Sequence, residues 1–435
     1  MIRLAPDWPF APRRLPFFYG WVILVVSTLG ILASIPGQTM GMAVFTEPLM
    51  EVLGLSRTQL SMAYMLGTIG SSLFLTRAGS LYDRVGARLM LVGASLALAL
   101  TLCFFAVLDL LIAPLAGGLR AVVAFGLVTV AYLLVRFSGQ GVLTSASRNV
   151  LLVWFERRRG LVNGLRGVIV SLGFSLAAPV LALLIGILDW RAALLVLALI
   201  CGVGFALLAL LLVRDAPEPC GLLPDGDLPA SDAAPSPPAH GVSLDVARRA
   251  PVFWIYSLAL AMHALFGTGI TFHVVSIFAE AGRSAGEAFG YFLPVAVVST
   301  TTNMVASWAS DRTAMRPWLL CMLLAFIVAG AGLLLLDRAV GYGLLVLGQG
   351  VGGGLWGMVS AITFVRLFGR ANLGAISGLN ASLMVFFSAV GPALFAVGLD
   401  LTSSFAPAVA LCVAGFVVLL LAALVIRRLP AEAAP

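Results

Sequence analysis

The chain has no lysine. All 26 of its basic side chains are arginine, which excludes a lysine nucleophile, Schiff base or ammonium general acid. Charge of either sign is scarce, at 10% of 435 residues, and histidine occurs only three times. No nucleophile-and-base or metal-ligand constellation can be assembled from this inventory, so neither an enzyme nor a cofactor-binding or metal-binding protein is expected. Of the five cysteines, 103, 201, 321 and 412 lie in apolar stretches and Cys220 in a polar one, with no disulfide frame among them. What the chain has in excess is apolar surface. Hydrophobic residues make up 61% and the mean hydropathy is +1.08, far from a soluble globular domain.

That surplus is arranged in twelve runs, each near the ~20 residues that cross a ~30 Å hydrocarbon core as a helix. They span 18–40, 57–76, 89–108, 121–153, 160–187, 192–213, 252–278, 285–308, 317–336, 341–366, 373–399 and 405–426. The fourth is too long for one straight crossing, which assigns part of 109–130 to an external loop or a helix extension. The expected fold is therefore an all-α polytopic membrane protein of twelve transmembrane helices. Between the sixth and seventh runs, "RDAPEPCGLLPDGDLPASDAAPSPPAHGVSLDVARRA" has no helical or strand periodicity until its end and reads as a mobile linker. It divides the chain into 1–213, 214–251 and 252–435, a six-helix half on either side, and its last part, "SLDVARRAP", is expected to form a short amphipathic helix on the membrane surface.

Most arginines fall on the side that holds both termini and the linker. Only Arg57, Arg120, Arg191, Arg283 and Arg338 fall on the other, and Arg136, Arg148 and Arg166 lie inside runs. The positive-inside rule puts both termini in the cytoplasm. The net charge of +7 is then a signal of topology, and no nucleic-acid partner is implied. The basic, then apolar, start lacks a small-residue cleavage site, so 18–40 reads as a retained helix.

The halves repeat each other. "GSLYDRVGARLML" (79–91) follows the second run and "SWASDRTAMRPWL" (307–319) the eighth; both keep Asp-Arg with a further Arg five after the Asp. "RFSGQG" (136–141) pairs with "VLGQGVGGG" (346–354), "GLVNGL" (160–165) with "GAISGL" (374–379), and the prolines 179 and 392 end a fourth match. Parallel repeats of six helices are the build of one large transporter class.

At these residues the chain resembles the major facilitator superfamily along its whole length. The signature G-x-L-x-D-R-x-G-x-R between the second and third helices is met by Gly79, Leu81, Asp83, Arg84, Gly86 and Arg88. The resemblance implies two pseudo-symmetric six-helix bundles and a conformational latch, to which Asp311, Arg312 and Arg316 add the second copy. Physically, Gly79 lets helices approach and Asp83 can meet helix N-terminal dipoles. A second signature, R-x-x-x-Q-G, is met by Arg136, Gln140 and Gly141. Arg136 and Gln140 share a helix face. A charge in the bilayer costs at least ~2.5 kcal/mol on insertion scales, so Arg136 either binds solute or ties the fourth helix to backbone carbonyls of the first.

Within the superfamily the closest likeness is to the monocarboxylate and oxalate/formate branch. Its motif entering the fifth helix is followed by Trp154, Phe155, Arg157, Arg158, Arg159, Leu161 and Gly164; "FFYGW" (17–21) resembles its opening motif and "PEPCGLLPDGD" its bacterial members. Arg166 and Val168 depart from it. The branch's basic residues in helices eight and eleven are missing here, as is the acidic-basic pair of animal carriers, so an anion would be met by Arg136, Arg148 or Arg166 or by the histidines of the seventh run, His263 and His273. Arg166 either snorkels back to the cytoplasm or turns inward.

In the seventh run His263 falls near the midplane, with His273 ~15 Å further on and ~80° around the helix. Each is read either as a proton carrier or as a satisfied buried histidine. Gly267 and Gly269 between them suit a segment that bends. In the tenth run, "GQGVGGGLWGMVSAITF" implies close helix packing, with Trp356 and Ser360 as cavity-lining positions; Tyr64 and Gln38 are read the same way. Glu47 and Glu280 are assigned to water-facing helix ends.

Together these residues predict a monomeric secondary transporter of a bacterial inner membrane. It would move a small organic anion, a monocarboxylate, with a proton by alternating access. A drug or metabolite exporter is the alternative, although the G-x-x-x-G-P-x-x-G-G of such exporters is absent from the fifth run. A non-transporting membrane sensor is a third reading.

Overall fold

A computed structural model describes residues 5–226 and 241–425. Every one of the twelve apolar runs is helical. In chain order the long helices are α1 (Gly20–Ala33), α2 (Arg57–Val85), α3 (Ala87–Ile112), α4 (Gly117–Trp154), α5 (Arg159–Leu188), α6 (Trp190–Leu212), α7 (Pro251–Glu280), α8 (Phe292–Ser310), α9 (Met315–Leu334), α10 (Ala339–Phe368), α11 (Leu373–Thr402) and α12 (Ala406–Val425). Among the described residues there is no β-strand, only an isolated antiparallel bridge between Gly241 and Gly369. The spans from α3 to α12 are long and apolar enough to cross a membrane, α8 together with the short helix Ala285–Gly290 before it. α1 is apolar but short. α2 is long enough and owes its lower apolarity to the Ser, Thr and Gln residues along it; its 29 residues reach about 43 Å, more than a ~30 Å hydrocarbon core, and its apolar run ends at Thr76, ahead of Arg77, Asp83 and Arg84.

The first run breaks where one helix was expected, and the fourth is built from both expected parts, a short loop at 113–116 and a helix extension, each for a local reason. The first run breaks at Ile35–Gly37 into a tight turn followed by Thr39–Ala43 and Thr46–Leu53. Pro36 cannot donate to the helix ladder, and a Cβ on Gly37 would lie 2.6 Å from the Val135 carbonyl oxygen, so only glycine lets this break press against α4. The fourth run needs no loop within 117–130. α3 ends at Ile112, and α4 begins at Gly117, whose φ is +57°. It continues for 38 residues, with Arg136–Leu143 wound as π-helix, a form that recurs at functional positions.

The chain forms two compact units. Unit 1 comprises Met1–Glu156, Leu172–Ala239 and Asn372–Ser382; unit 2 comprises Arg157–Ser171, His240–Ala371 and Leu383–Pro435, each over its described residues. The first turns of α11 thus belong with unit 1 and the first turns of α5 with unit 2. In unit 2, α10 lies against α8 and α9 through its glycines: a Cβ on Gly354 would lie 2.5 Å from the Ser299 carbonyl oxygen, and one on Gly348 would meet the Ala329 amide nitrogen. The glycine-rich stretch is therefore a packing surface.

The segment expected to be a mobile linker is ordered in its first part. Cys220 is 2% exposed, its thiol is pushed up to about 11 by burial, and Asp225 accepts the Glu156 amide at 2.9 Å. Composition misses this because the anchors are specific hydrogen bonds. Residues 227–240 of that segment lie outside the described ones, and its end forms the expected short helix, Leu244–Ala247, capped by Ser243.

Candidate functional site

Both copies of the Asp-Arg motif sit at helix ends. Asp83 accepts the amides of Gly374 and Ala375, 2.7 Å each, at the start of α11. Asp311 accepts the amides of Gly160 and Leu161, at 2.6 and 3.0 Å, at the start of α5. A helix start carries partial positive charge and unsatisfied amides, and a carboxylate answers both. Burial pushes the Asp83 carboxyl up to about 6, against the two amide bonds that lower it. Glycines make this approach possible: a Cβ on Gly79 would meet the Gly374 carbonyl oxygen, and one on Gly160 the Ser307 carbonyl oxygen.

The motif's last arginine answers the opposite pole. Arg88 donates from Nε to the Leu210 carbonyl of α6 at 2.6 Å, and Arg316 donates to the Ala423 and Leu424 carbonyls of α12 at 3.2 and 2.7 Å. Guanidinium charge at a helix C-terminus is favourable for the same reason. Gly86, at φ +89°, turns the chain between α2 and α3, Arg84 is exposed, and Arg312 lies 4.5 Å over the Trp308 ring.

In unit 1 the membrane-embedded polar groups gather where the α1 break meets the π-helical part of α4. Arg136, 1% exposed, donates from Nη1 to the Gly37 carbonyl and the Thr39 hydroxyl at 3.2 and 3.3 Å, and its guanidinium carbon lies 5.2 Å from the Tyr64 ring centroid. Tyr64 also donates to Thr39 at 2.8 Å. Gln38 donates to Ser34 and Thr144 at 3.0 and 3.1 Å. Arg136 thus makes the tie to a carbonyl, that of Gly37, at the end of the first run, while Gln140 Oε1 is buried without a partner. Arg148, three turns beyond Arg136, differs. Its Nε is buried without an acceptor, and among the described residues it makes no ion pair.

In unit 2, His263 stacks on Phe326 with ring centroids 4.2 Å apart, with Trp356 at 5.2 Å; its Nδ1 is buried without a partner. The Trp356 indole donates to the Leu260 carbonyl at 3.1 Å and Ser360 to the Gly357 carbonyl at 3.2 Å. His273 is satisfied: its Nε2 donates to the Pro392 carbonyl at 3.0 Å. Arg166 is 4% exposed and bonds Asn163 Oδ1 at 2.5 Å, and Asn163 donates to Ser307 at 3.1 Å. Its side chain turns in toward α8 and does not snorkel to water. Glu47 and Glu280 are exposed, Glu280 bonding Ser404 and Phe405.

The sequence reading missed Asn149, Asn163, Asn303 and Ser307. Asn149 donates to Ser377 at 2.8 Å and Asn303 to the Gly354 carbonyl at 2.9 Å. The repeat alignment was the available signal, since Asn163 and Ser377 occupy the same place in "GLVNGL" and "GAISGL".

A helical chain of apolar spans with repeated helix-end contacts has the build of a membrane transporter. The chain belongs to the Major Facilitator Superfamily, whose family model matches residues 26–392. A comparison with characterised proteins finds no significant match. Solved structures do match. The proton:xylose symporter XylE, bound to 6-bromo-6-deoxy-D-glucose, is 16% identical with a TM-score of 0.68, covering 93% of this chain and 94% of that one. The human organic anion transporter MFSD10 is 17% identical with a TM-score of 0.64, covering 93% and 99%. A bacterial homologue of the iron transporter ferroportin is 16% identical with a TM-score of 0.70, covering 92% and 98%. At this identity the likeness is one of fold, and the fold and family are those of membrane transporters, not enzymes.

Proposed function

We propose that the chain carries a small organic anion of the monocarboxylate type, with a proton, by alternating access in a bacterial inner membrane, as a monomer with both termini cytoplasmic. The observation that carries the reading is Arg148: a guanidinium on a spanning helix with Nε buried and no acceptor. An unmatched buried charge is costly and is retained where a ligand supplies the counter-charge. Arg136, bonded to Gly37 and Thr39, positions the π-helical part of α4, and Gln140 offers an open acceptor one turn from it. The likeness of 154–164 to the monocarboxylate branch points the same way.

His263 is the proton carrier in this reading, since its Nδ1 has no fixed partner, whereas His273 is held by the Pro392 carbonyl. Asp83 and Asp311, with their helix starts, serve as latches that each transport cycle breaks and remakes. The arginine bias toward one side of the spans supports cytoplasmic termini.

One observation favours the exporter reading. Phe326 and Trp356 around His263 make an aromatic surface suited to a flat apolar solute.

Purified protein in liposomes, offered labelled carboxylates, sugars and cationic drugs with and without an inward proton gradient, tests both readings. Gradient-driven uptake of a carboxylate that Arg148→Gln abolishes is the expected result. Transport of a cationic drug with no uptake of any acid overturns it, as does full acid transport by Arg148→Gln.

A further inference from the structure

The segment before α1 is held to unit 1 by two buried guanidiniums. Arg88 and Arg214 are 3% and 2% exposed. Arg88 Nη2 donates to the Trp8 carbonyl at 2.8 Å. Arg214 donates from Nε to the Pro6 carbonyl at 2.7 Å and from Nη2 to the Phe10 carbonyl at 3.2 Å. The same guanidiniums lie against the Trp8 and Phe10 rings, 5.1 Å from each centroid, so each ring keeps one side on the protein and leaves the rest of its surface outward. Trp8, Phe10, Phe17 and Trp21 are 46, 36, 50 and 36% exposed, and Arg13 and Arg14 lie exposed among them.

Four exposed aromatic rings in the few residues where a chain enters its first spanning helix are unfavourable in water and favourable at the headgroup layer. The arginines add a second requirement. Among the described residues Arg13 pairs with Asp7 alone, at 3.7 Å with both side chains half exposed or more, and Arg14 makes no ion pair. Neighbouring guanidiniums beside interfacial rings match an anionic headgroup, whose phosphate accepts forked N–H donors. Because Arg88 and Arg214 already fix the backbone, docking a lipid costs little further ordering.

We propose that residues 8–21 form a docking surface for anionic phospholipid, with Arg13 and Arg14 taking the phosphate while Trp8, Phe17 and Trp21 sit at the acyl boundary.

The test uses the full-length protein in neutral detergent, titrated separately with phosphatidylglycerol, phosphatidylcholine and inorganic phosphate. Tm is followed, and bound lipid is counted by native mass spectrometry. Phosphatidylglycerol is expected to raise Tm and stay bound, and the other two to do neither. Arg13→Gln with Arg14→Gln, which leaves the lipid-free melt unchanged, is expected to weaken phosphatidylglycerol binding by about fivefold per charge removed. Equal binding of phosphatidylcholine overturns the proposal, and so does a shift reproduced by phosphate alone. Undiminished phosphatidylglycerol binding by the double variant also overturns it.

Discussion

Asp83 and Gly374 are separated by nearly three hundred residues and joined by a 2.7 Å bond from amide to carboxylate. The same relation joins Asp311 to Gly160 at 2.6 Å. Each repeat thus supplies the carboxylate that caps a helix beginning in the other repeat. An ordinary N-cap comes from the residue beside the helix; here the cap is distant and its loss cannot be repaired locally.

Asp83→Ala removes both acceptors from the start of α11. Loss of such a cap costs about 1–2 kcal/mol. Hydrogen exchange at Gly374 and Ala375 is expected to quicken by roughly tenfold, with Gly160 and Leu161 unchanged. Equal protection in variant and parent would show that the cap contributes nothing.

The same contact depends on pH. The capped Asp83 carboxyl is raised to about 6 by burial, whereas a freed one titrates near 3.9. The capped state therefore binds the proton more tightly, so capping strengthens as pH falls from about 6 toward 4. It weakens as pH rises through that window and is level above about 7. Exchange at Gly374 and Ala375, corrected for intrinsic rates, follows this profile, and Asp83→Asn flattens it.

Gly160→Ala places a methyl group on the Ser307 carbonyl oxygen. Forcing backbones apart at such a crossing costs about 1–3 kcal/mol. Gly118→Ala, where nothing lies within 4 Å, is the matched control. A lowered Tm in the first and not the second is the expected pair of melts.

Arg214→Met leaves the Pro6, Phe10, Leu211 and Val213 carbonyls without their donor. A loss of about 3 kcal/mol follows from breaking so many charge-assisted bonds. Trypsin reports it locally: cleavage after Arg13 and Arg14 is expected to outpace that of the parent protein.

What the sequence made legible follows the length scale of each interaction. Apolar runs announce the spans because the bilayer imposes a length on every one of them, and the Asp-Arg repeat announced that Asp83 meets a helix start. The break at Ile35–Gly37 was written in Pro36 and Gly37 but hidden inside an apolar run. The inward turn of Arg166 depends on Asn163, one helical turn earlier, and on Ser307, which no local pattern connects to it. The ordering of 214–226 rests on a few hydrogen bonds at Arg214 and Asp225, to which composition is blind.

The wide turns at Arg136–Leu143 set the angular register of everything after them in α4. Rewinding that segment as ordinary α-helix would turn the remainder about the helix axis, each hydrogen bond passing to the next carbonyl with no break in the ladder. Arg148 would swing with it, while Arg136, on the near side and moored to Gly37 and Thr39, would stay. The two arginines share one helix, yet the direction of one relative to the other is a property of the winding between them.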